Sequence, residues 1–136
     1  MTRARQYNAA TDMVDRHVAE GRAEKVAFVD PRETLTFGQL ADRANQAGNL
    51  LASLGIPREG RVGLLLLDTI DFPPLFWGTI KAGIVPVAIN TLLTSEQYAY
   101  VLADCRARAL VVSAALLPAV QPILGRLPEL KHVLVA

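Results

Sequence analysis

The sequence feature that most constrains the fold is VGLLLL, residues 62–67, a run without a polar position. A strand that exposes one face to water alternates apolar and polar side chains, because successive side chains point to opposite faces. A strand that lacks this alternation is buried on both faces, as in a parallel sheet covered by helices. Residues 84–89, 109–112 and 132–135 are also largely apolar and predict neighbouring buried strands. Pro86 predicts an irregular or edge position for the first of these, since proline cannot donate to the ladder.

Helices are predicted between these strands, and two of them carry a clear start signal. Thr36 with Gln39, and Thr94 with Gln97, have the spacing of a capping box. In such a box the hydroxyl accepts a hydrogen bond from a first-turn amide and the glutamine reaches back. After Thr36, apolar residues recur at steps of three and four, which is typical of one helical stripe against a core. The stripe consists of Phe37, Leu40, Ala44, Ala47, Leu51 and Leu54.

The complete order of predicted elements is an N-terminal helix, a small hairpin and then β-α-β-α-β-α-β. This alternation predicts an α/β fold, a mostly parallel sheet with helices on both faces and right-handed crossovers. We expect residues 1–136 to form a single α/β domain, and Met13 and Val14 to share the apolar face of the first helix. The remaining predicted elements are helices at 8–20, 73–82 and 115–126 and hairpin strands at 25–30 and 35–37, with Gly21, Gly55 and Gly83 ending three of the helices.

Charge and composition exclude several classes of function. The chain is 51% apolar and 20% charged with a formal net charge of +1, as in an ordinary globular protein. Its basic residues form no stripe of the kind that binds nucleic acid, and the strongest cluster, Arg58 with Arg61, is interpreted as solvated turn charge. No apolar stretch is long enough to span a bilayer, and the first ten residues lack the apolar region of a secretory signal. We therefore predict a soluble, cytoplasmic protein with no nucleic-acid or membrane partner.

The predicted βαβ unit at 62–89 lacks the motifs that bind nucleotides. A dinucleotide-binding turn would place G-x-G-x-x-G directly after the first strand, but DTIDFPP follows Leu67. The phosphate-binding motif G-x-x-x-x-G-K-[ST] is absent as well. Pro73 and Pro74 also remove two of the amides that an anion at this helix start would use. The unit is therefore interpreted as scaffold for a site built elsewhere.

Five titratable residues are candidates for chemistry. Asp68 and Asp71 could form a carboxylate pair, but their spacing equally suits a helix N-terminus, where acids oppose the positive end of the dipole, and we favour capping. His17 and His132 match no metal-binding spacing. Cys105 has no cysteine to pair with and no catalytic pattern around it, which favours a partly buried structural thiol.

The other candidates are equally weak. Ser113 lacks the G-x-S-x-G nucleophile elbow. Phe76 and Trp77 lie in an apolar helix, where core packing is the favoured interpretation and a ligand platform the alternative. We therefore predict no catalytic, cofactor-binding or metal-binding residue within this chain.

Three stretches of the sequence resemble the start of the adenylate-forming acyl-CoA synthetases. They are LTFGQLADRANQAGNLLASLGIPREGRVGLLL, DFPPLFWGTIKAGIVPVAIN and LTSEQYAYVLADCRARALVVS, and the resemblance extends from about Tyr7 to Ala136. Within that family, DTIDFP and KAGIVPVAINTLLT are most similar to benzoate–CoA ligases and their hydroxybenzoate relatives. The motifs that carry the resemblance are Thr36-Phe37, Gly60-Arg61-Val62, Lys81-Ala82-Gly83, Pro86-Val87 and the turn from Asn90 to Thr94.

The resemblance implies a two-step reaction in the parent enzyme. A carboxylate reacts with ATP to give an acyl-adenylate and pyrophosphate, and coenzyme A then displaces AMP. The family's chemistry needs Mg²⁺, a phosphate-binding loop rich in glycine, serine and threonine, and a lysine from a mobile C-terminal domain, and none of these motifs occurs in this sequence. Many relatives carry Pro-Arg after the asparagine matched by Asn90, whereas Thr91 and Leu92 stand here. We therefore assign no phosphate contact to this turn.

Our leading hypothesis is the N-terminal portion of an aromatic acid–CoA ligase that is inactive alone. Its partner would be the remainder of the ligase, which would bring ATP, Mg²⁺, CoA and a small aromatic carboxylate. The chain ends within a predicted strand, so we expect an exposed sheet edge and self-association through it. The alternative is a free-standing, non-catalytic α/β interaction module or one half of a split ligase. A flavodoxin-like signalling domain is disfavoured, because the required early acid pair and late lysine are not found.

Overall fold

A two-stranded hairpin and a four-stranded sheet organise the chain in the computed structural model, which describes residues 7–136. The prediction about a secretory signal rested partly on residues 1–6, which lie outside the described residues. The elements in chain order are a π-helical turn Thr11–Asp15, α1 Arg16–Ala19, β1 Val26–Val29, β2 Thr34–Thr36, α2 Phe37–Ser53, β3 Arg61–Leu65, α3 Phe72–Lys81, β4 Val85–Ala88, α4 Ser95–Asp104, β5 Ala107–Val112, a 3₁₀ turn Ala114–Leu116, α5 Leu117–Val120, a 3₁₀ segment Gln121–Arg126 and β6 His132–Val135.

The larger sheet has the order β4-β3-β5-β6, and its three strand pairs are all parallel. Alternate side chains of β3 point to opposite faces, and both sets are buried: Val62 and Leu64 pack with α2 and α3, whereas Leu65 packs with α4 and α5. β1 and β2 form a separate antiparallel hairpin. The predicted fold class, a mostly parallel sheet with helices on both faces, is confirmed.

The local signals for α2 and α4 are confirmed in detail. Thr36 Oγ1 accepts from the Gln39 amide at 3.3 Å, while the Thr36 amide donates to Gln39 Oε1 at 2.9 Å. Thr94 and Gln97 repeat both bonds at the start of α4. The apolar stripe of α2 faces the core. Its buried residues are Leu40, Ala41, Ala44, Ala47, Gly48 and Leu51.

Two glycines allow α2 and α3 to approach each other closely. A Cβ placed on Gly78 would lie 2.4 Å from the Ala44 carbonyl oxygen and 2.8 Å from Ala47 Cβ. A Cβ on Gly48 would lie 2.9 Å from the Gly78 carbonyl oxygen. Both distances to oxygen are shorter than a carbon–oxygen contact allows, so only glycine fits at this helix crossing.

Three predictions about the elements need correction. Residues 84–89 were predicted as a buried strand, but β4 is an edge strand with Val85 exposed, as Pro86 had indicated. The single helix predicted over 115–126 is divided into 3₁₀, α and 3₁₀ segments, because proline within a helix cannot donate to the preceding turn. The last predicted strand, β6, is also at an edge, and its residues alternate in exposure.

The N-terminal helical segment packs on the end of α3 through polar contacts. Lys81 Nζ donates to Asp15 Oδ1 at 2.7 Å, and both side chains are about one-third exposed. Asn8 Nδ2 donates to the Ile80 carbonyl oxygen at 3.0 Å. Val14 is buried, but the prediction that Met13 shares its face is wrong, because Met13 is exposed.

Candidate functional site: the carboxyl edge of the parallel sheet

The carboxyl ends of β3 and β5 define the position where a sheet of this type would hold a ligand. Ligands of open parallel sheets bind where successive connections leave in opposite directions. Here the chain runs from β3 to β4 on one side and then crosses back to β5 on the other. The residues at this point are those that follow Leu65 and Val112.

Ser113 links the carboxyl ends of β3 and β5 by hydrogen bonds. Its side chain is largely buried, and its Oγ accepts a hydrogen bond from the Leu67 amide at 3.1 Å. The Ser113 amide donates to the Leu65 carbonyl oxygen at 3.0 Å, which continues the ladder. The hydroxyl therefore binds the backbone just after β3.

Asp71 lies at the start of α3 but does not cap it. Its backbone is already helical, at φ −78° and ψ −24°, and the side chain accepts no bond from a first-turn amide. A capping side chain needs an extended backbone to reach those amides, so Asp71 occupies the predicted place at the helix N-terminus but makes no side-chain cap bond. The carboxylate instead accepts from Arg32 Nη2 at 2.8 Å and from Thr69 Oγ1 at 3.3 Å. Asp68 is exposed and makes no hydrogen bond to Asp71 among the residues that the structure describes.

Asp30 is the acid at this edge whose pKa is most strongly shifted, and the sequence analysis did not single it out. Oδ1 accepts from the amides of Arg32 and Glu33 at 2.8 and 2.9 Å, and Oδ2 accepts from the Ile70 amide at 2.9 Å. The amides of Glu33 and Ile70 are the main reason that the pKa of Asp30 falls to about 2. The bond to Ile70 joins the hairpin to the loop after β3. The available signal was the turn DPRET, since an aspartate before a turn commonly accepts such amides.

His17 and Cys105 lie in structural surroundings, and His132 is the first residue of β6. His17 Nδ1 accepts from Arg22 Nε at 2.9 Å, and its ring stacks on Phe37 with the centroids 4.1 Å apart. Cys105 is half-buried, and burial raises the pKa of its thiol. Within residues 7–136, no group of three or more His, Cys, Asp or Glu side chains could hold a metal ion.

The aromatic residues of α3 are partly buried and pack against the core. Phe76 packs edge-on against Trp77 at 5.2 Å and stacks with Phe72 at 6.0 Å. Trp77 lies against the cluster that contains Leu35 and Leu40. Core packing, the favoured interpretation of Phe76 and Trp77, is confirmed.

The remaining candidates lie away from this edge or are used in turns. Arg58 lies against Gly83, and Arg61 Nη1 donates to the Glu59 carbonyl oxygen at 3.4 Å. Asn90 Oδ1 accepts from the Leu92 amide at 2.9 Å and closes its own turn. An open cleft of about 620 Å³ lies at the N-terminal segment, lined by Tyr7, Asn8, Thr11, Asp12, Arg16 and Arg58.

Two polar side chains at the carboxyl edge accept hydrogen bonds from backbone amides. They are Ser113, which accepts from Leu67, and Asp30, which accepts from Ile70, whereas Asp68 is exposed.

No helix of the described part of the chain has the length and hydrophobicity needed to cross a bilayer.

Comparison with known proteins extends over almost the whole chain. The profile of the family described as "AMP-binding enzyme" matches residues 15–136. A 4-hydroxybenzoate–CoA/benzoate–CoA ligase of Rhodopseudomonas palustris is 50% identical over 130 residues, which is 96% of this chain and 24% of that enzyme. A benzoate–CoA ligase of Thauera aromatica is 46% identical over 132 residues, 96% of this chain and 25% of that enzyme.

Solved structures show the same fold. The anthranilate CoA ligase AuaEII, in complex with anthranoyl-AMP, superposes with a TM-score of 0.91 at 43% identity, over 96% of this chain and 25% of that one. The match corresponds to the N-terminal part of adenylate-forming ligases. The chain therefore spans about a quarter of the length of these relatives.

Proposed function

Since the chain belongs to the AMP-binding enzyme family, we propose that it forms the N-terminal part of an aromatic acid–CoA ligase. The parent enzyme converts ATP, a benzoate-type carboxylate and CoA into acyl-CoA, AMP and pyrophosphate. The observation that carries this proposal is the 50% identity, over 130 residues, to the Rhodopseudomonas palustris ligase. The Thauera aromatica benzoate–CoA ligase supports the same class of substrate.

The reaction of the parent enzyme has two steps. A carboxylate oxygen attacks the α-phosphorus of ATP, and the bond to pyrophosphate breaks, which leaves an acyl-adenylate. The thiol of CoA loses its proton, its sulfur attacks the acyl carbon, and AMP leaves with the bonding electrons. The bound anthranoyl-AMP in a related structure is an acyl-adenylate and supports the first step for the family.

The residues of this chain do not fit ATP at the carboxyl edge. Pro73 and Pro74 at the start of α3 lack amide hydrogens to donate to phosphate, and the carboxylate of Asp71 lies beside them. We therefore assign no ATP, Mg²⁺ or CoA contact to this chain. Its role in the proposal is to hold the sheet and its edge loops in place for residues of the remaining ligase, and alone it forms no acyl-adenylate.

A chimeric enzyme tests this function. The chain replaces the matching quarter of the Rhodopseudomonas palustris ligase, and pyrophosphate release and acyl-CoA formation are measured with benzoate, 4-hydroxybenzoate, anthranilate and a long-chain fatty acid. We expect activity with an aromatic acid from the chimera, and none from the isolated chain or from the ligase without its first quarter.

Three results would contradict the proposal. Pyrophosphate release by the isolated chain with benzoate and ATP would show that it is not inactive alone. A folded chimera without any acyl-CoA formation would refute the role in a ligase. Acyl-CoA formation by the ligase without its first quarter would show that this part of the enzyme is not needed for the reaction.

A further inference from the structure

The loop that connects β3 to α3, residues 66–71, is held at the carboxyl edge of the sheet from two sides. On one side, the Leu67 amide donates to Ser113 Oγ at 3.1 Å, across 46 positions of the chain. On the other side, the Ile70 amide donates to Asp30 Oδ2 at 2.9 Å, across 40 positions. Ser113 follows β5 and Asp30 follows β1. A displacement of the loop relative to these two strands therefore breaks at least one of the bonds.

The interior of the loop is also fixed by hydrogen bonds. The Thr69 amide donates to the Leu67 carbonyl oxygen at 2.8 Å, and the Phe72 amide donates to the Thr69 carbonyl oxygen at 3.1 Å. Thr69 Oγ1 donates to the Asp71 carboxylate at 3.3 Å, and Arg32 Nη2 donates to the same oxygen at 2.8 Å. Because these bonds link its two ends, the loop is positioned by Asp30 and Ser113 as one unit.

Asp30 is the stronger of these two anchors. Its side chain is only 8% exposed, and its carboxylate accepts from three amides, those of Arg32, Glu33 and Ile70. A carboxylate binds an amide more strongly than a neutral hydroxyl such as that of Ser113 does. Ile70 is itself buried, so loss of the carboxylate would leave its amide without a partner, which is costly for a buried donor.

Between the two anchors the loop exposes Leu67 and Asp68, at the position where open parallel sheets bind ligands. We propose that Asp30 and Ser113 are positioning residues for the ligase reaction, which hold loop 66–71 in the geometry that residues of the remaining ligase meet at this edge. The inference rests on the proposed function, because the chain spans only 24% of the Rhodopseudomonas palustris ligase and supplies no reacting group of its own. A misplacement of about 1 Å far from the reacting atoms can cost an enzyme about 100-fold in rate.

Asp30→Asn in the chimera tests the stronger anchor. Asparagine has the shape of aspartate, and its oxygen can still accept from the amides of Arg32 and Glu33, but its NH₂ group then faces the Ile70 amide, donor to donor. We expect kcat with the preferred aromatic acid to fall by about tenfold, and the KM of acid, ATP and CoA to stay within about twofold. Hydrogen exchange at the Ile70 amide should become about tenfold faster, since its bond is lost.

Two further variants separate position from stability. Ser113→Ala releases the Leu67 end of the loop and leaves Asp30 intact, so the test does not depend on the folding of D30N. We expect a lower kcat and faster exchange at the Leu67 amide. Gly55→Ala is the matched control, because alanine is strained at φ +72°, no atom lies within 4 Å of the added Cβ, and the site is at the opposite end of β3. It should lower the Tm of the chimera but change kcat by less than about twofold.

The possible results distinguish the inference from the proposed function. An active chimera in which D30N and S113A both keep kcat within about twofold, despite faster exchange at Ile70 and Leu67, would overturn the positioning role. Equal losses of kcat in D30N, S113A and G55A would assign the effect to stability and overturn it as well. Loss of kcat without faster exchange would show that the loop had not been released, which also contradicts the inference. An unmodified chimera that folds but forms no acyl-CoA would refute the proposed function and, with it, any role in the reaction.

Discussion

The Gly78→Ala substitution tests the packing of α2 against α3 most directly. The added methyl group would lie 2.4 Å from the Ala44 carbonyl oxygen and 3.0 Å from the Gly48 nitrogen. Both atoms belong to the α2 backbone, so no side-chain rotation can relieve the contact and the two helices must separate. Separation loosens the layer that covers one face of β3.

The expected loss of stability follows from two opposing terms. Overpacking costs about 1–3 kcal/mol, and the backbone obstruction places this site at the upper end. Alanine in a helix interior recovers about 1 kcal/mol relative to glycine. The free energy of unfolding should therefore fall by about 2 kcal/mol, which lowers the Tm by about 8 °C for a chain of this size.

Gly125→Ala is the matched control for that prediction. No atom lies within 4 Å of a Cβ placed on Gly125, so alanine should be neutral or more stable by about 0.5–1 kcal/mol. Thermal and urea unfolding of the 136-residue chain, followed by circular dichroism, measures both variants. The packing argument fails if G78A melts within about 2 °C of the unmodified chain, or if G125A loses as much stability as G78A.

Three further predictions concern single side chains. The folded pKa of Asp30, about 2, is below its usual value, so its ionised form stabilises the fold above about pH 5 and this stabilisation is lost as the pH falls through 2. Thermal melts across that range should show that the difference in Tm between wild type and Asp30→Asn becomes smaller toward acidic pH. A difference in Tm that stays constant would contradict this prediction. Thr94→Ala should cost about 1 kcal/mol of stability and Thr94→Ser much less, because only alanine removes the cap; equal melts for the two would argue against capping. Burial raises the thiol pKa of Cys105, so alkylation at about pH 8 should be more than about tenfold slower than in the urea-unfolded chain, whereas equal rates would show an accessible thiolate.

The parts of the fold that sequence predicted are those specified by local chemistry. The capping boxes at Thr36 and Thr94 need only residues three positions apart, and both form as expected. Gly55 and Gly83 end their helices at φ +72° and +74°. The parallel sheet was predicted from apolar runs that lack alternation, and this property can be seen within each segment separately.

The parts that sequence did not predict depend on residues far apart in the chain. Asp30 accepts from an amide 40 positions away, and the Leu67 amide donates to Ser113 across 46 positions. Neither residue differs locally from an ordinary turn aspartate or a serine after a strand. The close approach of Gly48 to Gly78 is also invisible in sequence, because glycine within a helix otherwise indicates only a weak helix former.

The two strand edges show where sequence and topology are both required. VPVA and HVLV are each short, largely apolar runs, and only Pro86 in the first run indicates an edge position. Once the order β4-β3-β5-β6 is known, Pro86 falls on an outward-facing position, where its missing amide prevents pairing, whereas the outward positions of β6 hold Val133 and Val135 with complete backbone groups. A proline one residue later would instead have broken the bonds to β3. The distinction between a closed and an open edge is therefore encoded in the sequence, but it becomes readable only when the direction of each backbone group is fixed by the sheet.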